Sequence, residues 1–178
     1  MKIVFPKEFI ALKSERLTLR EISMNDLDFL FEIRNNEENN KYIGRKKSTL
    51  DEVKQFIVDR ISDFKEGKGI VWMIFHNDTK QTIGSICYWN LNFEDNSEEK
   101  GYELAPEFQG KGFMHEALSK VIDFGFNQLN LQTIEAYVDE NNIASIKALV
   151  KHDFTQSSII ELENKEKLLM FTSTSTQL

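Results

Sequence analysis

Glu103-Leu104-Ala105-Pro106-Glu107-Phe108-Gln109-Gly110-Lys111-Gly112-Phe113-Met114 predicts a strand end, a proline-bounded turn, a small glycine-rich loop and an amphipathic helix running to about Leu129. Backbone N–H groups in such a loop converge with the unpaired N–H groups of the helix's first turn, which makes a natural seat for phosphate oxygens. Two familiar phosphate loops are poor matches. A Walker-type loop closes on Gly-Lys-Ser/Thr, whereas Gly110-Lys111 is followed by Gly112, with no hydroxyl for Mg²⁺. A dinucleotide fingerprint carries a third glycine where this chain has His115, and it follows the first strand of its unit. A helix start whose glycines serve only the turn is the plain alternative.

Working outward, Arg16-Leu17-Thr18-Leu19-Arg20-Glu21-Ile22 alternates and reads as a strand. Ser23 or Asn25 is placed to cap a helix with Leu27, Leu30, Phe31 and Ile33 on its apolar face. Thr49 opens a second helix carrying Val53, Phe56, Ile57, Ile61 and Phe64, closed by Gly67 and Gly69. Strands are predicted over 70–75 and 82–89, a loop over 92–99, and a third strand over 98–105 that delivers the chain into the glycine loop. Past the long helix, 133–138 reads as a strand and 142–151 as a short helix. Residues 154–163 and 167–172 read as a closing hairpin. The expectation is one α/β domain of the α+β type over 1–178. Its mixed, mostly antiparallel central sheet would have about six or seven strands, flanked by about four helices. Residues 1–13 form an extension and 173–178 a frayed tail.

Bulk properties narrow the function. The chain has 178 residues and a net charge of −7, which disfavours nucleic-acid binding by a broad basic face. Arg45-Lys46-Lys47 reads as a solvated loop. The single cysteine, Cys87, excludes an internal disulfide and any cysteine-rich metal site, and its apolar run predicts a buried thiol. No run approaches the roughly 18 apolar residues of a membrane span, and no cleavage-like site follows the N-terminus, so a cytoplasmic protein is expected. The three histidines lie far apart in sequence, with no partner at ligand spacing, and predict no metal site.

A downstream segment identifies the phosphate. Val138-Asp139-Glu140-Asn141-Asn142-Ile143-Ala144-Ser145 follows a strand and sets an amide and a hydroxyl three residues apart at a helix start. Together with Gln109-Gly110-Lys111-Gly112-Phe113-Met114 and Glu15-Arg16-Leu17-Thr18-Leu19-Arg20, it resembles the GNAT acetyltransferase superfamily, most closely its RimJ/RimL-type branch. The resemblance spans residues 15–171 in matching element order. Two positions depart from the pattern: Met114 replaces a Gly or Ala, and Asp153 replaces a Gly in a place that Asp tolerates if φ is positive.

The resemblance implies an acetyl-CoA-dependent N-acetyltransferase in which a primary amine attacks the thioester directly. Gln109, Gly110, Lys111, Gly112, Phe113 and Met114 would offer N–H groups to the coenzyme A pyrophosphate, Lys111 with or without its charge. Main-chain groups around Leu104 would pair with the pantetheine arm, and Asn142 would contact it or cap the helix. Ser145 is the candidate for protonating the leaving thiolate, with Tyr137 the alternative acid. Glu99 and Glu103 are the candidate bases, and some branches use none, since an α-amine of pKa about 7.7–8.0 is neutral in roughly a tenth of molecules near neutral pH. No metal is implied. The polar segment Asn35-Asn36-Glu37-Glu38-Asn39-Asn40 and its continuation to Lys47 is expected to be a loop near the acceptor. The acceptor is a protein N-terminus of the ribosomal type or a small-molecule amine, and the protein is a monomer or homodimer. A catalytically inactive coenzyme-A-binding module, and a structural domain with a fortuitous glycine loop, are the readings outside the enzyme.

Overall fold

The computed structural model describes residues 4–89, 101–162 and 167–175. In chain order these form β1 (Leu12–Lys13), β2 (Leu17–Glu21), α1 (Leu27–Asn35), α2 (Glu37–Asn40), α3 (Leu50–Lys65), β3 (Ile70–His76), β4 (Gln81–Tyr88), β5 (Tyr102–Leu104), α4 (Phe113–Asn127), β6 (Thr133–Asp139), α5 (Ile143–Val150), β7 (Thr155–Glu161) and β8 (Lys167–Thr174). Single 3₁₀ turns over Met24–Asp26 and Pro106–Phe108 precede α1 and the glycine loop.

The α/β class and the antiparallel pairing match the expectation, but the strands form two sheets where one was expected. The larger runs β1-β2-β3-β4-β5 and the smaller β6-β8-β7, with every neighbouring pair antiparallel. The break falls between β5 and β6. β5 is three residues long and is followed at position 106 by a proline, which has no N–H to extend a ladder; among the described residues neither β5 nor β6 has a strand partner on its outer side.

Burial explains the apolar pattern of β3. Ile70, Trp72 and Ile74 pack on one face with Phe113, Ala117 and Phe124 of α4. Val71 and Met73 pack on the other with Leu30 and Ile33 of α1 and Val53 and Ile57 of α3. A strand covered on both faces loses the alternation of a half-exposed one. The smaller sheet contributes Ile134, Val138 and Phe171 to the α4 side of the core.

Local chemistry sets the helix starts. Thr49 caps α3 in a reciprocal box with Glu52. Ser23 starts the 3₁₀ turn before α1, and its N–H donates to Asp26 at 2.9 Å. Asp26 is buried and pairs with Arg20 through two bonds of 2.5 and 2.9 Å.

Two expectations about the chain's irregular parts are corrected. The segment expected as a loop contains α2, because Asn36 caps it by accepting from the Asn39 N–H at 3.1 Å. At the other end, β8 continues through Ser173 and Thr174, which face Ile134 and Thr133 of β6. Ser173 is 1% exposed, so the chain is not frayed at that residue, and positions 176–178 lie outside the described residues. In the stretch expected as an N-terminal extension, Leu12 and Lys13 pair with β2. The expected loop over 92–99 lies outside the described residues. Among the described residues no helix is long and apolar enough to cross a membrane.

Candidate active site

The open edge of β5 is the first component. Gly84 faces Leu104, and the Ala105 N–H donates to the Ile83 carbonyl at 2.8 Å. That bond makes Leu104/Gly84 a non-hydrogen-bonded pair, so the Leu104 N–H and C=O point away from β4 into the gap between the sheets. Asn39 Nδ2 and Gln109 Nε2 donate to this carbonyl at 2.8 and 3.0 Å. α2 is thereby fastened to the site's edge. Glycine is required opposite Leu104, because a Cβ at Gly84 would overlap the Glu103 carbonyl oxygen.

The glycine loop is the second component. Gly110 and Gly112 adopt φ of +70° and +81°, which Cβ-bearing residues rarely hold. A Cβ at Gly110 would meet nothing within 4 Å, so the space above the loop is open. Among the described residues, none of the backbone N–H groups of 110–115 has a protein acceptor; the first bonded amide of α4 is Glu116, to the Gly112 carbonyl at 3.1 Å. Six consecutive free donors at a helix start fit a pyrophosphate.

Arg16 holds this loop in shape. Its backbone N–H and Nε donate to Glu116 at 2.9 and 2.7 Å, its Nη1 donates to the Lys111 carbonyl at 3.2 Å, and its guanidinium lies 4.4 Å over the Phe113 ring. Burial pushes the Glu116 carboxyl up, but donation from Ser14 and Arg16 outweighs it and leaves the group below its ordinary value. Lys111 is exposed, its ammonium 5.7 Å from the Phe108 ring. Met114 is half-buried against the core.

The third component is α5. Asn142 Oδ1 accepts from the Ser145 N–H at 3.2 Å, so this amide is the cap of α5. Ser145 is half-buried in the first turn. Its carbonyl accepts from the Tyr102 hydroxyl at 3.4 Å, the bond that bridges the gap from β5. Burial pushes the Tyr102 phenol up. Sequence reading missed Tyr102, although its alternation with Leu104 along the predicted strand was the available signal.

Other expected residues are placed elsewhere. Tyr137 lies on the opposite face of β6 from the core residues Ile134 and Val138, and its hydroxyl donates to Glu135 at 3.0 Å. Burial and then that carboxylate raise its pKa. Glu99 lies outside the described residues. Glu103 pairs with Arg45 at 3.3 Å in the wall of a cavity of about 260 Å³. Arg34, Phe56, Trp89 and Tyr102 also line it. Cys87 is half-buried in the same wall, and its thiol donates to the Gly101 carbonyl at 3.4 Å.

The fold brings together two histidines that lie far apart in the sequence. His115 Nδ1 and His152 Nε2 are 2.8 Å apart, brought together because α5 ends beside the first turn of α4. Asp153, next to His152, has φ +61°, the conformation anticipated for a residue in place of glycine. No group of three or more metal-ligating side chains occurs among the described residues.

The chain has relatives among known proteins. Residues 16–155 match the family model of the acetyltransferase (GNAT) domain. The uncharacterized N-acetyltransferase YoaA of Bacillus subtilis (strain 168) is 33% identical over 153 residues, covering 85% of this chain and 86% of that one. The crystal structure of spermidine N-acetyltransferase from Vibrio cholerae in complex with CoA and spermine gives a TM-score of 0.79 at 22% identity, over 92% of this chain and 98% of that one. Mycobacterium smegmatis RimJ in complex with CoA-disulfide gives 0.80 at 17% identity, over 95% and 89%. At such identities these two structures speak for the fold. The family model spanning most of the chain and a relative 33% identical over 85% of it together make this protein a member of the GNAT family of N-acetyltransferases.

Proposed function

We propose that the protein transfers an acetyl group from acetyl-CoA to a primary amine, with the pyrophosphate on the N–H groups of Gly110, Lys111, Gly112, Phe113 and Met114. The free donors of 110–115 carry this reading. The outward N–H of Leu104 donates to the thioester oxygen or the pantetheine amide. Gln109 is left out of this set because its N–H donates to the Pro106 carbonyl at 3.1 Å, and its side chain instead holds the Leu104 carbonyl at 3.0 Å.

The amine lone pair attacks the thioester carbon and a C–N bond forms as charge collects on oxygen, where an oriented N–H stabilises it. The C–S bond then breaks and the thiolate takes a proton, for which Ser145 is the proposed donor. The amine's surplus proton leaves to a base or to water. Glu103 is the proposed base, supported by its position with Arg45 in the cavity wall. Asn142 acts by holding the start of α5. Tyr102 joins Tyr137 as an alternative acid, because its hydroxyl reaches the Ser145 carbonyl at 3.4 Å, beside the start of α5.

For the acceptor, the first reading is a protein N-terminal α-amine, as in the RimJ/RimL-type branch. Supporting it is a cavity of residue size walled by Phe56, Trp89 and Tyr102. The second reading is a small-molecule amine, supported by the spermidine N-acetyltransferase that shares the fold.

A panel of N-terminal peptides and small amines, with thiol release as readout, tests the reading. Turnover with the peptides supports the first acceptor. Acetyl-CoA binding with no turnover on any amine supports an inactive module. Absence of any thermal shift with coenzyme A overturns the enzyme reading.

A further inference from the structure

His115 and His152 are 37 residues apart in sequence and 2.8 Å apart in the fold, with ring centroids separated by 4.4 Å. His115 stands in the first turn of α4, where the free N–H groups are. His152 follows the last turn of α5, the helix that carries Ser145. At this distance one facing nitrogen bears hydrogen and the other accepts it. The neutral pair keeps that bond. A pair with one added proton, on a nitrogen turned outward, keeps it too and strengthens it. A second added proton would put hydrogen on both facing nitrogens and break it. The contact therefore accepts one positive charge and refuses two.

The surroundings decide when that charge is held. Lys151 and Asp153 flank His152 and act on it with opposite sign. On the α4 side Glu116 is engaged by Arg16, Lys111 is exposed in the loop, and the Ser119 hydroxyl donates to the His115 carbonyl. An empty helix N-terminus disfavours a cation nearby. A polyphosphate seated there reverses the sign, because the nearest charges become negative. Burial is the first cause that holds His152 below the ordinary imidazole value, which leaves the neutral pair a proton to gain.

We propose that His115 and His152 are proton-linked positioning residues of the donor site: the pair takes up a solvent proton when the coenzyme A pyrophosphate seats on α4, and the strengthened bond fixes α5 and Ser145 against the loop. This rests on the donor reading above. It adds an element which that reading does not contain.

Calorimetric titration of the full-length protein with coenzyme A, in buffers of different ionisation enthalpy, counts the protons taken up. Wild type is compared with His152→Gln from about pH 8 to about pH 6.5, and wild-type affinity is expected to rise roughly threefold more than that of the variant across this range. Titration of the ligand's own phosphates is common to both proteins and cancels. Equal proton uptake and equal slopes overturn the linkage alone. No coenzyme A binding by the wild type at any pH overturns the donor reading with it. If His152→Gln does not fold, ¹⁵N spectra of the wild-type imidazoles give the same answer: an outward ring nitrogen that gains a proton on coenzyme A addition supports the linkage, and unchanged nitrogens overturn it.

Discussion

Arg16 donates twice to Glu116, from its backbone N–H at 2.9 Å and from Nε at 2.7 Å, tying the start of β2 to the first turn of α4. A residue 100 positions away thus shapes the glycine loop, since the same guanidinium holds the Lys111 carbonyl and covers Phe113. Arg16→Ala removes the side-chain half of this tie. With the pair 38% and 18% exposed, the stability cost in urea denaturation is expected to be about 1 kcal/mol. The acetyl-CoA dissociation constant should rise roughly tenfold, a change of about 1.4 kcal/mol. Unchanged affinity would mean that the loop holds its shape without Arg16.

The glycines separate folding from binding. Gly110→Ala meets no protein atom, so its stability cost is confined to the positive φ, about 1 kcal/mol. Its loss of acetyl-CoA affinity should exceed that cost, because the new Cβ occupies the open space above the loop. Gly84→Ala should behave differently. It forces β5 away from β4 and is expected to lower stability by several kcal/mol in thermal or urea unfolding, in the manner of overpacked cores.

Ser145→Ala and Tyr102→Phe distinguish the two candidate acids. With Ser145 as the acid, its substitution lowers kcat roughly 10- to 100-fold while acetyl-CoA affinity is unchanged. Tyr102→Phe then costs only the bond to the Ser145 carbonyl, about 1 kcal/mol of stability. The reverse pattern in single-turnover rates would transfer the role to Tyr102.

Acid should destabilise the fold in two separate windows. His152 is depressed, by burial first and then by the His115 charge, from an ordinary value of 6.5. The unfolded chain therefore binds its proton more readily. Stability falls as pH drops through 6.5 toward the folded value, whereas above that range both states are neutral and His152 contributes nothing. His152→Gln should flatten this part of a Tm–pH profile. Glu116 is also depressed, despite a burial effect that acts the other way, from 4.5. Its contribution is present above that value and is lost as pH falls further, so Glu116→Gln should flatten only the more acidic limb.

Much of the molecule was legible along the chain because its signals are local. Alternation marked β2, Thr49 marked the start of α3, and Pro106 with Gly110 and Gly112 marked the turn and loop that start α4, where backbone conformation depends on the residues themselves. Three features depended on tertiary structure. The segment 35–47 looked like a polar loop, yet Asn39 is buried because the Leu104 carbonyl, 65 residues away, needs its amide. Tyr137 looked placed for acid chemistry, but the face of β6 it occupies was decided by which side packs on α4. His115 and His152 carried no mutual signal, since only the docking of α5 beside α4 makes them neighbours. The sequence by itself determined the strand–loop–helix unit with its free N–H groups, which requires only glycine conformations and a helix N-terminus. The tertiary structure decided the open edge at Leu104, the bridge from Tyr102 and the histidine pair, because each is a contact between elements whose separation no local rule encodes.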